Sequence, residues 1–217
     1  MYCYAPSEFM DREEAALFGT LAEKIIMQHY LYTMGRTGVF PASMIDYADF
    51  SWGFSNTHLY IAFLKMHHPN LSASALMQLS SDGLVKIPDI LSHAPPTQTE
   101  FYEIKPDSGS GRSAGRRKIA EIRALMQYHH LPYVPGELYS PYSQRVRFFN
   151  GVVLGVGIEL HLQFSRIAPG FLVYKVCVDV KGQEVLEKAA LAIAALILTI
   201  MLRGRIRYLT MPPVPVA

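Results

Sequence analysis

Residues 85–118 read VKIPDILSHAPPTQTEFYEIKPDSGSGRSAGRRK, and this stretch carries the strongest structural signal in the chain. Two short apolar runs, at 84–92 and 99–106, have the composition of β-strands, and the polar segment HAPPTQ between them predicts a hairpin. Charged groups are rarely buried in strands without a partner. These runs nevertheless contain Asp89, Glu103 and Lys105, which are therefore candidates for a functional site.

The alternation of side chains along a strand predicts how these charges are arranged. Glu103 and Lys105 share one face of the strand while Ile104 takes the other, and a hairpin of this length places Asp89 beside Glu103. Two adjacent carboxylates repel each other unless a divalent cation lies between them. Hard oxygen ligands without thiols suit Mg²⁺ or Mn²⁺. The residues therefore predict metal-assisted hydrolysis of a phosphodiester, with the lysine neutralising charge.

The order Pro88-Asp89, loop, Glu103-Ile104-Lys105 resembles the motif of the PD-(D/E)XK nuclease superfamily. The resemblance implies an α/β fold with a restriction-endonuclease-like core, made of a helix, a mixed β-sheet that carries the motif, a second helix and a further strand. It also implies that Asp89, Glu103 and the carbonyl of Ile104 bind the metal, and that Lys105 serves the attacking water.

Two further residues are carried over from this resemblance. Glu23, on the first predicted helix, corresponds to an additional catalytic glutamate that many members have. Gln127, on the helix after the motif, corresponds to a glutamine found in some members. The alternative for Gln127 is an ordinary solvated helix residue.

The segment after the motif is rich in glycine and arginine. Backbone NH groups of a Gly/Ser loop and the start of the following helix are expected to bind phosphates. The same role is predicted for four basic side chains: Arg112, Arg116, Arg117 and Lys118. This segment is also similar to nuclease domains of bacterial polymorphic toxins and secretion-system effectors. That similarity implies a cognate immunity protein or a loader as partner.

A second triplet of the same kind occurs at Asp179-Val180-Lys181, with Glu159 on the preceding strand as its candidate partner. It lacks a preceding Pro-Asp, and the helix predicted after it is apolar rather than basic. The alternative for this triplet is a strand end that emerges into solvent. For the first site, the alternative is a structural ion pair on a hairpin.

The rest of the chain predicts one nuclease-like domain over 1–217, with its core at about 7–34 and 83–180. Helical spacing predicts helices at 7–34 and 113–130, and a helical insertion at about 39–80. Two long strands are predicted at 145–165 and 170–182. An apolar helix at about 183–203 has fourteen uncharged residues, Ala189 to Leu202, which is short for a membrane span, so a membrane role is not expected.

Composition limits the classes of protein that fit. Half of the 217 residues are apolar and 18% are charged, which is typical of a packed globular chain, and the net charge is +2. The two cysteines, Cys3 and Cys177, show no spacing typical of a disulfide framework or a zinc site. Without a visible signal peptide, this predicts a reducing compartment, the cytoplasm. For a toxin, it is the cytoplasm of the target cell.

The function predicted from the sequence is an Mg²⁺- or Mn²⁺-dependent nuclease that acts on nucleic acid, with DNA favoured over RNA, in an antibacterial toxin or effector. Two alternatives stay open. One is a housekeeping or mobile-element nuclease, and the other is a non-enzymatic binding module with a degenerate nuclease fold.

Overall fold

The computed structural model describes residues 1–35, 37–40, 56–80, 87–94, 98–153 and 156–181. Its strands are β1 (Tyr2–Tyr4), β2 (Val39–Phe40), β3 (Ile90–Ala94), β4 (Gln98–Pro106), β5 (Val134–Pro135), β6 (Gln144–Val153), β7 (Val156–Ala168) and β8 (Phe171–Lys181). Its helices are α1 (Arg12–Met34), α2 (Asn56–His67), α3 (Ala73–Ser80) and α4 (Gly109–Tyr128), and a 3-10 turn at Pro6–Glu8 precedes α1.

In the described part of the chain, the strands form a curled sheet in the order β2-β3-β4-β8-β7-β6. Two short strands complete it, because β1 pairs with β8 and β5 pairs with β4. The pairs β4–β8 and β4–β5 are parallel, and the remaining pairs are antiparallel. The chain is thus an α/β protein with a mixed sheet, and the predicted hairpin is the antiparallel pair β3–β4.

Alternate residues of β4 divide the apolar interior into two cores. Tyr102 and Ile104 belong to the core that β4, β7 and β8 form with α1. Phe101 belongs to the core that includes α2, α3 and the buried face of α4. Because side chains alternate along a strand, Glu103 and Lys105 share the α4 side of the sheet with Phe101. This alternation positions the candidate site between β4 and α4.

Both predicted core helices exist, with different starts. The first helix begins at Arg12 rather than at residue 7, and Asp11 caps it, since its carboxylate accepts a 2.8 Å hydrogen bond from the backbone N of Glu14. The helix after the motif begins at Gly109. Ser108 caps it, because its hydroxyl accepts a 3.0 Å hydrogen bond from the backbone N of Gly111. The predicted Gly/Ser loop is therefore the first turn of α4.

Two glycines in the first turns of α4 allow the helix to pack closely on the sheet. A Cβ atom at Gly111 would lie 2.2 Å from the carbonyl oxygen of Pro106, and one at Gly115 would lie 2.4 Å from ring atoms of Phe171. Larger residues at these positions would push α4 away from β4 and β8. The glycines thus allow the helix to lie close against the strand that carries Glu103 and Lys105.

The segment predicted as one strand at 145–165 is two strands, β6 and β7, which pair antiparallel along their length. The sequence around Gly151, Gly155 and Gly157 is rich in β-branched and aromatic residues and has no clear turn signal. The boundary between the two strands was therefore not predicted. The short strands β1, β2 and β5 were not predicted either. Three-residue and two-residue strands carry too little periodicity to be recognised.

Cys3 and Cys177 form a disulfide between β1 and β8, where they are direct partners in the antiparallel register. Their spacing gave no indication of this bond, because the sheet topology, rather than a local motif, brings together residues that are 174 positions apart. The disulfide also removes the argument for a reducing compartment that rested on free thiols.

Residues 41–55 of the predicted insertion and the whole of the predicted apolar helix at 183–203 fall outside the described residues. The described part of the insertion contains the two helices α2 and α3. Among the residues that the structure describes, no helix is long and apolar enough to cross a membrane.

Candidate active site

The hairpin β3–β4 brings Asp89 beside Glu103, as predicted. The backbone N of Asp89 donates to the carbonyl of Tyr102 at 3.1 Å. Oδ2 of Asp89 accepts a 2.7 Å hydrogen bond from the backbone N of Ile104. These two bonds continue the ladder one residue beyond Ile90 and fix the aspartate against β4. The proline before Asp89 has no NH group to contribute, so the aspartate is the first residue able to make this link.

The ammonium group of Lys105 lies where the three predicted metal-binding oxygens converge. Its Nζ is 3.7 Å from Oδ2 of Asp89 and contacts Oε1 of Glu103. It also donates a 3.0 Å hydrogen bond to the carbonyl of Ile104. One oxygen from each of two carboxylates and one backbone carbonyl are hard ligands of the kind that Mg²⁺ binds. In this structure the cation that these three oxygens contact is the Lys105 ammonium group.

A second ammonium group completes the cluster from the helix side. Nζ of Lys118, on α4, is 2.8 Å from Oε2 of Glu103 and 3.4 Å from Oδ1 of Asp89. The two lysines thus contact different oxygens of the same two carboxylates. Lys118 was predicted to bind nucleic-acid phosphates, and the structure instead brings it into the cluster. We call Asp89, Glu103, Lys105 and Lys118 the charge cluster.

The sequence analysis did not place Lys118 beside Asp89 and Glu103, although the sequence carried a signal for this position. It falls at helical spacing with Gly111, Gly115, Ile122 and Met126, which form the buried face of α4. A lysine on the buried face of a helix needs a partner. The carboxylate of Glu103 on β4 is that partner.

The electrostatic environment differs between the two carboxylates. Burial raises the pKa of Glu103 to about 7, with a further upward contribution from Asp89 and opposing ones from Lys105 and Lys118. Burial also acts to raise the pKa of Asp89, but the charges of Lys105 and Lys118 and the hydrogen bond from Ile104 lower it overall. Asp89 is thus the more acidic carboxyl group of the pair.

Both lysines are held in the charged form. Burial alone would lower the pKa of Lys105 and of Lys118, and the negative charges of Asp89 and Glu103 outweigh burial and raise both. A lysine with a raised pKa is a poor proton acceptor at neutral pH. Its chemical contribution is therefore positive charge and hydrogen-bond donation.

Glu23 lies on α1 within electrostatic reach of the charge cluster. Burial raises the pKa of this carboxyl group to about 8, and the negative charge of Asp89 is the next largest cause. In the part of the chain that the structure describes, no three histidine, cysteine, aspartate or glutamate side chains are arranged to hold a metal ion. Glu23 consequently does not form a common ligand set with Asp89 and Glu103.

A neighbouring carboxylate on β4 shows what a purely structural glutamate looks like. Glu100 accepts hydrogen bonds from the backbone N of Glu137 at 2.9 Å, from that of Leu138 at 3.2 Å and from the hydroxyl of Tyr102 at 2.7 Å. Glu103 is fully buried, and among the described residues only the two ammonium groups reach its oxygens. Glu100 thus accepts three hydrogen bonds from uncharged donors, whereas Glu103 contacts charged ammonium groups.

The predicted phosphate-binding arginines separate into three environments. The guanidinium of Arg112 forms an ion pair with Asp107, which also contacts Nζ of Lys175 at 3.3 Å. Arg117 lies 4.0 Å from Glu121 on the exposed side of α4. Arg116 lines a groove on one flank of α4, together with Gln127. Gln127 is therefore placed outside the charge cluster.

The rival triplet is brought together in part. Asp179 lies directly opposite Glu159 in the β7–β8 register. The carboxylate of Glu159 is 3.3 Å from the guanidinium of Arg147 and 3.4 Å from Nε2 of His161. The side chain of Lys181 falls outside the described residues. Glu159 is thus engaged by a sheet neighbour, and no convergence of ligands like that at Lys105 is seen among the described side chains.

A histidine cluster was also missed. The rings of His67 and His68 pack against His93 of β3 with centroid distances of 4.1 and 5.2 Å. The hydroxyl of Tyr133 lies 3.0 Å from Nε2 of His68 and 2.9 Å from Nδ1 of His93. These contacts attach α2 to the sheet.

Neither the fold nor the charge cluster can be assigned to a known family by similarity. No protein-family model matches the chain, and no curated protein or solved structure matches it significantly. The class of protein has to be inferred from the chemistry of the site.

Proposed function

We propose that this chain is a nuclease of the PD-(D/E)XK type, dependent on Mg²⁺ or Mn²⁺, that hydrolyses phosphodiester bonds in nucleic acid, with DNA favoured over RNA. The observation that carries the proposal is the convergence of Asp89 Oδ2, Glu103 Oε1 and the Ile104 carbonyl on one cation, the Lys105 ammonium. The order of α1, mixed sheet, α4 and later strands agrees with a restriction-endonuclease-like core.

In this proposal the protein residues have separate roles. Asp89, Glu103 and the carbonyl of Ile104 would hold the divalent cation, which would supply Lewis-acid chemistry at a phosphate oxygen. Lys105, kept charged, would donate a hydrogen bond to the attacking water. Its positive charge would also stabilise the negative charge that develops on the phosphate. Lys118 holds the second oxygens of both carboxylates, so that their first oxygens keep a fixed orientation.

The biological setting that we favour is an antibacterial toxin or effector domain, with a cognate immunity protein as partner. The Cys3–Cys177 disulfide supports this setting, since such bonds form and persist in oxidising environments outside the cytoplasm. The site of action then is the cytoplasm of a target cell. A housekeeping or mobile-element nuclease is the alternative, and expression without a partner separates the two because only the toxin kills its host.

The charge cluster itself favours one further candidate, a binding module without catalytic activity. Two carboxylates and two lysines balance without a metal, as in a structural ion-pair network. The two functions differ in the contribution of Lys105, which is essential for cleavage in the first and serves stability alone in the second.

The test is purified protein with Mg²⁺, Mn²⁺ or EDTA on plasmid, linear DNA and total RNA. Wild type is expected to cleave with either metal and not with EDTA. Lys105→Ala is expected to lose cleavage while retaining its circular dichroism spectrum, and Lys65→Ala, on the exposed side of α2, is the matched control. Undiminished cleavage by Lys105→Ala would overturn the assignment. Loss with Lys181→Ala instead would move the site to the second triplet.

A further inference from the structure

A groove of about 380 Å³ runs along the flank of α4 that faces β5 and the β7–β8 turn. Its basic and polar lining comes from Arg116, Arg123 and Gln127 of the helix, and Pro135 and Pro169 form the opposite wall. Proline has a fixed φ angle and no NH group, so this wall is stiff and offers few donors. Hydrogen-bond donors in the groove are thus concentrated on the helix. We call this feature the α4 groove.

The two arginines of the α4 groove differ from the other arginines of the helix. Arg112 and Arg117 have acidic neighbours in Asp107 and Glu121. Arg116 and Arg123 are exposed, and neither forms an ion pair with any carboxylate in the described part of the chain. Two exposed guanidinium groups without acidic partners make this flank a site of positive potential.

The spacing of these arginines is suited to a repeating anion. Residues 116 and 123 are two turns apart on one face of the helix, which corresponds to about 10.5 Å along its axis at 1.5 Å per residue. A strand of duplex nucleic acid advances about 3.4 Å per phosphate, so the two guanidinium groups are separated by about three nucleotides. Gln127 follows one turn later and adds amide donors in the same direction.

The α4 groove is separate from the charge cluster, although one helix contributes to both. Lys118, two positions after Arg116, reaches Glu103 and Asp89 on the other flank of α4. Residues two apart on a helix project about 200° apart around its axis. A ligand in the groove therefore lies beside the helix, away from the predicted cleavage point.

We propose that the α4 groove binds the sugar-phosphate backbone of the nucleic-acid substrate outside the cleavage site, through Arg116, Arg123 and Gln127. This rests on the proposed nuclease function and identifies a binding surface for it. Of the four basic residues predicted from the sequence to bind phosphates, Arg116 alone lines the α4 groove. The proposed binding surface also contains Arg123 and Gln127.

The test measures binding apart from cleavage. Fluorescence anisotropy in EDTA follows a labelled 20-nucleotide DNA strand and its duplex across a series of salt concentrations. The variant is Arg116→Gln/Arg123→Gln, and the matched control is Arg12→Gln/Arg145→Gln, which removes the same charge from exposed positions on α1 and β6. The groove variant is expected to bind at least fivefold more weakly, with its salt slope reduced by roughly 1.4–1.8 for two lost phosphate contacts. The control is expected to change by less than twofold.

The outcomes separate this inference from the proposed function. Equal losses in the two double variants would mean a general charge effect and would overturn the groove. Wild-type affinity in the groove variant would overturn it as well, while Mg²⁺-dependent cleavage by wild type would leave the nuclease proposal intact. The groove variant could also lose binding to labelled polyglutamate while keeping its affinity for DNA. That result would overturn the proposed nucleic-acid site in favour of a site for an acidic protein partner.

Discussion

The ammonium nitrogen of Lys118 lies 2.8 Å from Oε2 of Glu103, so that a positive charge on α4 pairs with a buried negative charge on β4. Glu103 is fully buried, and its other oxygen contacts Lys105 of the same strand. The strand alone would leave half of this carboxylate without a partner. Helix and strand are consequently coupled by the same residue that we propose as a metal ligand.

Lys118→Met is expected to lower both stability and cleavage. One oxygen of Glu103 and one of Asp89 lose their cationic partner, and an unsatisfied buried group costs about 1–3 kcal/mol. Urea unfolding in EDTA measures the loss of stability, and cleavage assays with Mg²⁺ measure activity. Lys118→Arg keeps the charge and is expected to restore part of both. Equal stability of Lys118→Met and wild type would contradict the described contacts.

Lys105→Met is expected to bind Mg²⁺ or Mn²⁺ at least tenfold more tightly than wild type, although it does not cleave. The wild-type ammonium contacts the three proposed ligand oxygens, and removing it frees these oxygens and lowers the repulsion of an incoming cation. Isothermal titration calorimetry on EDTA-treated protein measures the affinity. Lys105→Arg retains the charge and is the control. No heat of binding in any variant would count against a metal site.

Glu23→Gln is expected to remove a pH dependence of stability. The pKa of Glu23 in the folded protein is about 8, against 4.5 for an ordinary glutamate. The folded state therefore binds this proton more tightly, and its contribution to stability is fully present below pH 4.5 and lost as the pH rises through 8.

Urea midpoints at intervals from pH 5 to pH 9 measure this effect as the difference between Glu23→Gln and wild type. The amide resembles the protonated acid, so the variant is expected to match wild type near pH 5 and to exceed its stability near pH 9. Parallel curves would show that Glu23 ionises normally. Glu13→Gln, on the exposed first turn of α1, is the control.

Reduction of the Cys3–Cys177 disulfide is expected to lower the free energy of unfolding by about 2–5 kcal/mol. The bond closes a loop that spans 174 positions, and a cross-link of that length restricts the unfolded chain strongly. Urea unfolding with and without dithiothreitol measures the difference, and Cys3→Ala/Cys177→Ala is expected to be insensitive to the reductant. Two reactive thiols in unreduced, urea-unfolded protein would disprove the bond.

The sequence by itself determined the local elements that carry the candidate site. Strand alternation placed Glu103 and Lys105 on one face, and the hairpin placed Asp89 beside Glu103, because neighbours within a hairpin are set by local register. The helix after the motif was also predicted, although the glycines at its start were interpreted as a phosphate-binding loop.

Tertiary structure alone decided which distant residues meet. Lys118 joins the charge cluster because Gly111 and Gly115 let α4 pack directly on β4 and β8, and Cys3 meets Cys177 because β1 pairs with β8. Arg116 is separated from Lys118 by the rotation of the helix. Local periodicity specifies which face of an element is buried. Which partner covers that face depends on packing across the whole sheet.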